Sequence, residues 1–432
     1  MTPQAWIAAV RGGGTLDIDA CIDALGDDLP LLHAFADTRQ DPGWHAEGDV
    51  RVHTGMVLDE LYADLARHPV SGDERLLLVL GALLHDIAKP LSTRDAEVLG
   101  RMRVVARGHE ARGRSWLAPR LLGWGLPYAA VEEVLGIVGS HHEPRLLVKR
   151  DHPEGVWRRV ARGVDPDRLA RVELADMRGR TCQDRPALVE DIELFRMNAE
   201  ELGVRDWEPA WRAFYADAFG HLPEAARDRA FGEAIRGAEE GRWRTPDAAL
   251  WLGHAATERL PELVVLVGPS GAGKTTFAHT VLGREPWRHD VVSLDALRDG
   301  LAGEQSDQSL NGQVRQAARE LLRVSLRADR RVVWDATSLR RDFRAPILRL
   351  GFDYGALVTI VAFADDPAGW ARRNRARDTA VPPHVLETQL DTMEWPERHE
   401  AHRLLVVGPK GVLAWHGGLE GGLPYGLAWA GA

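Results

Sequence analysis

The stretch "VVLVGPSGAGKTTFAHTVL" constrains this chain more than any other. An apolar strand runs into Gly268, Ser270, Gly271, Ala272 and Gly273, and Lys274, Thr275 and Thr276 open a helix, matching G-x-x-x-x-G-K-[ST]. Glycines let backbone N–H groups close on phosphate oxygens, and the helix start adds its dipole. Lys274 then reaches the β- and γ-phosphates of ATP or another NTP, and Thr275 holds Mg²⁺. Three further β-rich runs, "DVVSLD", "RRVVWDAT" and "ALVTIVAFA", are each followed by a helical or loop segment. That alternation predicts an α/β domain over 261–432, with a parallel sheet and helices on both faces.

A phosphate loop implies a nucleotide and leaves the acceptor open. In "VVSLDALRDG" a strand ends at Asp295, and Arg298 follows one helical turn later. That strand is expected next to the phosphate-loop strand, so that Asp295 faces the same crevice at the carboxyl edge of the sheet. There it would take a proton from an attacking hydroxyl while Arg298 holds a phosphate on the acceptor. Asp295 also suits a plain helix cap. "VVWDATSL" puts Asp335 and Thr337 on the same edge, as a partner of the Mg²⁺ waters and an acceptor contact. In "DDPAGWARRNRARDTAVPP", Asp366 and Pro367 read as a helix start and Pro382 and Pro383 as a stop. Arg373 and Arg377 stand one turn apart, either on a solvated face or on a lid that closes over the donor phosphates.

"GPSGAGKT", "SLDALR", "WDAT" and "RRNRAR" together resemble the polynucleotide 5′-hydroxyl kinase branch of P-loop phosphotransferases, over residues 262 to about 416. The resemblance implies that Lys274 and Thr275 serve ATP·Mg²⁺, Asp295 is the general base, Arg298 binds an acceptor 3′-phosphate, and Arg373 and Arg377 are lid arginines. Small-molecule kinases of this fold share the loop and the lid, so the Asp-x-x-Arg pair discriminates.

The other half has a different texture. From about 50 to 235, apolar residues recur at three- and four-residue spacing, as in "HTGMVLDELYADLARH" and "RLLLVLGALLHDIAK", which predicts an all-α domain. Titratable residues sit on or beside these helices: His53, the adjacent His85 and Asp86 in "LGALLHDIAKP", His109, His141, His142 and Asp176. With only Cys21 and Cys182 in the chain, a metal would be held by His and carboxylate. Such donors suit Mn²⁺, Fe²⁺, Co²⁺, Ni²⁺ or Zn²⁺. The ordered set H…HD…D resembles the HD phosphohydrolase superfamily over about 50–185. "HTGMVLDEL", "ALLHDIAKP" and "GHEARG" look like the HD domain attached to some bacterial tRNA nucleotidyltransferases. The resemblance implies a main site of His53, His85, Asp86 and Asp176, with His109 and His141 supporting a second ion and His142 the alternative to His141. Lys89, one turn beyond Asp86, either points its ammonium at the scissile phosphate or is a surface lysine at a helix end.

At 432 residues the chain suits two domains: 1–245 with a core at about 50–185, a linker at 246–260, and 261–432. The formal net charge of -10 argues against a protein that coats nucleic acid non-specifically. It leaves room for local grip on a strand end. No apolar run approaches the roughly 20 residues of a membrane span, and no signal peptide is visible, so a cytoplasmic location is expected with no membrane partner. The whole arrangement resembles bacterial HD–polynucleotide kinase end-healing enzymes. That resemblance implies partners in RNA or DNA ends bearing 5′-hydroxyl and 2′,3′-cyclic or 3′-phosphate groups, with a ligase acting downstream. A salvage enzyme, pairing an HD nucleotidase with a nucleoside or small-molecule kinase, and an ATP-gated regulator are the alternatives.

Overall fold

The computed structural model describes residues 1–150, 152–256, 259–302, 311–377 and 380–427. The chain divides into two compact units, Met1–Asp206 and Trp207–Ala432. No helix among the described residues is long and apolar enough to cross a membrane.

The first unit is helical because its apolar residues keep helical spacing. Helix Val50–Arg67 starts where Asp49 accepts from the Val52 N–H at 2.9 Å, and it buries Val57, Leu58, Leu61 and Leu65. Helix Gly72–Leu84 is capped by Ser71 and is buried almost all round over its second half, as a central helix must be. His85 is its C-cap. Helix Tyr128–Ser140 ends at His141 in the same way. It lies hard against its neighbour, since a Cβ on Gly136 would fall 2.3 Å from the Gly163 carbonyl oxygen. One element departs from the all-helical expectation. β1 (Arg94–Val98) and β2 (Arg101–Val105) form an antiparallel hairpin, turned at Leu99 and Gly100 with φ of 51° and 75°. Two positive φ values suit a tight hairpin turn.

The second unit holds β3 (Glu262–Val267), β4 (Asp290–Ser293), β5 (Arg331–Asp335), β6 (Leu357–Phe363), β7 (Arg403–Gly408) and β8 (Gly411–His416). Their order is β4-β5-β3-β6-β7-β8, parallel except for β8 on the edge. β3 and β6 are buried along their whole length, which explains their unbroken apolar runs. β5 lies between β3 and β4, so the strand before "SLDALR" is not the neighbour of the phosphate-loop strand. The crevice survives this correction, because β4 and β5 lie on one side of β3 and β6 on the other, which opens a cleft at the carboxyl end of the sheet.

The division between units falls at residue 206, not in the 246–260 segment. Helix Glu224–Glu239 belongs to the second unit because it is pinned to β7. Arg403 donates through Nε to Asp228 Oδ2 at 2.9 Å, the Leu419 N–H donates to Asp228 Oδ1 at 3.0 Å, and His402 meets Glu233 at 3.0 Å. Gly232 permits the approach, since a Cβ there would lie 2.6 Å from the His402 Cβ.

Asp228→Ala would leave the buried Arg403 guanidinium without its main partner. It should destabilise the second unit by about 3–5 kcal/mol. Urea denaturation followed by fluorescence reads this, and an unchanged midpoint would show that the pair does not anchor the helix.

Candidate active sites

In the first unit three helix ends aim imidazoles at one point. Nδ1 of His85, His109 and His141 meets the carbonyl oxygen of Ala82, Ala106 and Val138 at 2.7, 2.7 and 2.8 Å. A proton on each Nδ1 fixes the tautomer and leaves each Nε2 as a lone-pair donor facing inward. Asp86 is what they face. His85 Nε2 is 3.1 Å from its Oδ2, and His109 and His141 Nε2 are 3.0 and 3.9 Å from its Oδ1. His53 Nε2 lies 3.0 Å from Asp176 and 3.7 Å from Asp86. The structure thus brings together His53, His85, Asp86, His109, His141 and Asp176. The two adjacent histidines differ in their contacts, His142 meeting Glu110 at 2.6 Å and His141 approaching His109 at 3.2 Å, but all three histidines stand close enough to share an ion. Lys89 is buried and not on the surface, with Nζ 2.7 Å from Asp86 and 2.5 Å from Gln40 Oε1.

The ionisation states suit a metal. Burial raises the carboxyl pKa of Asp86, yet the neighbouring His85 and the Lys89 ammonium outweigh it and hold the group well below the usual range. Asp176 is held down against the same burial penalty by Arg180, which donates to both its oxygens at 2.9 and 2.5 Å. Burial and then the neighbouring His142 push His141 down, so it is neutral. His53 differs. Burial lowers it, but Asp176 and Glu47 carry it above its ordinary value, so it would give up a proton to bind a cation. Among the described residues His53 Nε2, His85 Nε2 and both Asp86 oxygens are buried without an aligned hydrogen-bond partner. A cation among them fits this donor set, with His53, His85, Asp86 and Asp176 holding it and His109 and His141 beside a second position.

Several residues here escaped the sequence reading. Glu47 lies 3.0 Å from His53 Nδ1 and 2.8 Å from His45 Nδ1, orienting His53 from behind. Burial pushes His45 down to about 3. Only Arg180 left a signal, four residues after Asp176 on the same helical face. A cavity of about 620 Å³ opens beside the cluster, with Lys89, His109, Trp44, Arg145, Lys149 and Glu173 in its wall. Among the described residues Glu173 has no hydrogen-bond partner for either buried oxygen, and burial raises its carboxyl well above the ordinary range.

In the second unit the phosphate loop leaves β3 at Gly268. Gly271 and Gly273 have φ of 79° and 93°, a conformation that favours glycine, and Gly271 lies so close to Asn374 that a Cβ would meet its backbone nitrogen at 3.0 Å. Lys274 donates to the Pro269 carbonyl at 2.8 Å, and Thr275 donates to Asp335 Oδ2 at 2.8 Å. Thr275 and Asp335 would hold Mg²⁺, and Lys274 the nucleotide phosphates. The Ser270 N–H donates to Gln389 Oε1 at 2.8 Å. Ala272 is buried beside Gly268 and Thr276 is exposed.

Asp295 lies in the first turn of helix Leu294–Ala302, and its Oδ1 accepts from Arg298 at 2.7 Å. Asp295 is exposed whereas Arg298 is buried. The lid arginines do not share a helix. Arg373 lies on helix Pro367–Arg375, bonded to the Gly271 carbonyl at 3.2 Å and to Asp365, whereas Arg377 follows the Ala376 cap. Pro382 and Pro383 begin a new helix, Pro383–Asp391, because proline suits a helix start. Burial pushes the Lys274 ammonium down to about 8, with Arg377 lowering it further and Asp335 and Asp295 opposing.

Two measurements follow. Purified His85→Ala/Asp86→Ala protein should lose the divalent metal that the intact protein carries by elemental analysis. Full retention would contradict the cluster as the binding site. Nucleotide phosphates should restore the charge of Lys274, so binding ATP should take up protons near pH 8 and weaken as pH rises through that value. Calorimetry in two buffers of different ionisation enthalpy measures the uptake. Absence of uptake would contradict the depressed ammonium.

The comparisons with known proteins agree with this division. Residues 52–176 match the family model of the HD domain, and residues 263–396 match that of an AAA domain. A crystal structure of a gluconokinase from Sinorhizobium meliloti 1021 is similar at 21% identity, covering 35% of this chain and 84% of that one, with a TM-score of 0.26. No curated protein matches. The first unit thus carries an HD domain and the second a phosphate-loop domain of the AAA type.

Proposed function

We propose that this protein heals nucleic-acid ends, its HD unit releasing a 3′-phosphate or 2′,3′-cyclic phosphate and its P-loop unit phosphorylating a 5′-hydroxyl from ATP. The observation that carries the reading is the Asp295–Arg298 pair, 2.7 Å apart on the helix that leaves β4 at the carboxyl edge. An acceptor phosphate would draw Arg298 into forked contacts. Asp295 would then be free to act on the acceptor.

In the kinase step the 5′-oxygen forms a bond to the γ-phosphorus as the bond to the β,γ-bridging oxygen breaks, and ADP departs. Asp295 takes the hydroxyl proton. Lys274 neutralises the phosphate oxygens, and Arg377, whose charge reaches Lys274, faces the same region. Mg²⁺ held by Thr275 and Asp335 would shield the transferring charge.

In the HD unit a bound divalent cation would make water nucleophilic near neutral pH. The chain's own residues prepare the site. Arg180 and Glu47 fix Asp176 and His53, and Lys89 presents an ammonium at the cavity wall. Arg145 and Lys149 in the same wall suit an anionic phosphoester.

Asp295→Asn should cut 5′-phosphorylation by about 10²–10⁴-fold while sparing ATP binding. Arg298→Ala should chiefly raise the acceptor KM. Lys274→Ala should abolish 5′-phosphorylation and leave 3′-phosphate release intact, with Asp86→Asn doing the reverse. Steady-state kinetics on a 5′-hydroxyl, 3′-phosphate oligonucleotide tests all four. Efficient phosphorylation of free nucleosides, with oligonucleotides untouched, would favour salvage instead.

A further inference from the structure

We infer that a track for a single nucleic-acid strand leads away from the acceptor end of the phosphoryl-transfer site, along a row of arginines on helix Asn311–Arg327 beside an aromatic platform at Phe343. The inference rests on the reading above, that the acceptor is a strand end, and gives that strand a path.

The row follows from the helix pattern. Val314, Ala318, Leu322 and Leu326 form its buried stripe, four residues apart. Arg315, Arg319 and Arg323 each come one residue later, so they form a parallel row along the edge of that stripe. Four residues advance a helix by about 6 Å, close to the separation of successive phosphates along an extended strand. A hollow of about 420 Å³ runs along this face, lined by all three arginines. Glu320 pairs with Arg323, but among the described residues Arg315 and Arg319 have no ion-pair partner. Their charge is available to an outside anion.

The row begins at the acceptor clamp. Arg298 Nη2 donates to Asn311 Oδ1 at 3.2 Å, and Asn311 is the first residue of the helix. One turn on, the Arg315 guanidinium carbon lies 5.0 Å from the centre of the Phe343 ring, and that of Arg340 lies 5.1 Å from it. Phe343 is 48% exposed, on the helix that follows β5 and Asp335. An exposed ring among arginines at the head of a cationic row is the combination that binds single strands, with bases on the π-face and phosphates on the cations. An acidic protein partner would use the cations and leave the ring without a purpose.

The test uses the full chain with ATP, comparing a nucleoside 3′-phosphate with 5′-hydroxyl single strands from dinucleotide to octanucleotide. For the intact protein KM should fall as the acceptor lengthens. Arg315→Ala/Arg319→Ala and Phe343→Ala should each raise the octanucleotide KM about tenfold. Both should leave nucleoside 3′-phosphate kinetics unchanged, which also shows that the variants fold. The double arginine variant should lower the slope of log KM against log salt by about two. Arg319→Glu, a charge reversal outside the buried stripe, should act more strongly than Arg319→Ala. A KM independent of length in the intact protein, or variants matching it on the octanucleotide, would overturn the track and leave the end-healing reading standing. Failure to phosphorylate either kind of acceptor would remove that reading and the track together.

Discussion

The first unit depends on the cost of burying charge. Asp86 is 1% exposed, and an isolated carboxylate at that depth would protonate or unfold its surroundings. Lys89 supplies a cation at 2.7 Å, and four imidazole nitrogens approach from separate helices. Asp176 repeats the solution with Arg180. These pairs do not exhaust the oxygen lone pairs, and the remaining unaligned donors and acceptors define a place for a cation. The helix ends converge because each backbone carbonyl near a C-terminus or turn takes the outer ring nitrogen and points the inner one at Asp86.

The second unit solves a related problem with a different charge. Its phosphate loop is built to meet an anion, and Lys274 sits in it buried, donating to Pro269 with its ammonium weakened by desolvation. Bound phosphate would reverse that weakening, so the same burial that costs charge in the free protein strengthens the contact when phosphate arrives. The sheet order makes this loop the centre of the cleft, with Asp335 one strand away and Asp295 two.

Much of this was legible in the sequence because local patterns carried it. The phosphate loop could be read from its glycines and lysine, and the helical half from apolar spacing. The histidines and aspartates around Asp86 could be picked out, although five helices carry them, because their order along the chain resembles the H…HD…D pattern of the HD superfamily. What stayed hidden depends on long-range packing. Glu47 and His45 come from an irregular segment ahead of the first metal-ligand helix, and no spacing links them to His53. The unit boundary was misplaced because helix Glu224–Glu239 has the same periodicity as the helices before it, and only Asp228 and Glu233 meeting β7 assign it to the sheet. The place of β4 at the sheet edge could not be read either, since strand order leaves no local trace. The β1–β2 hairpin was missed because "VLGR" is a weak turn signal beside the usual Asn-Gly or Asp-Gly.

The account centres on one chain carrying out two phosphoryl chemistries on the two sides of a strand break. The direct measurement supplies the intact protein, ATP and divalent metal to a nicked duplex whose break bears a 3′-phosphate and a 5′-hydroxyl, then adds a ligase that requires the opposite ends. The account predicts sealing that depends on both ATP and this protein. Ends left in their original state, neither dephosphorylated nor phosphorylated, would contradict it.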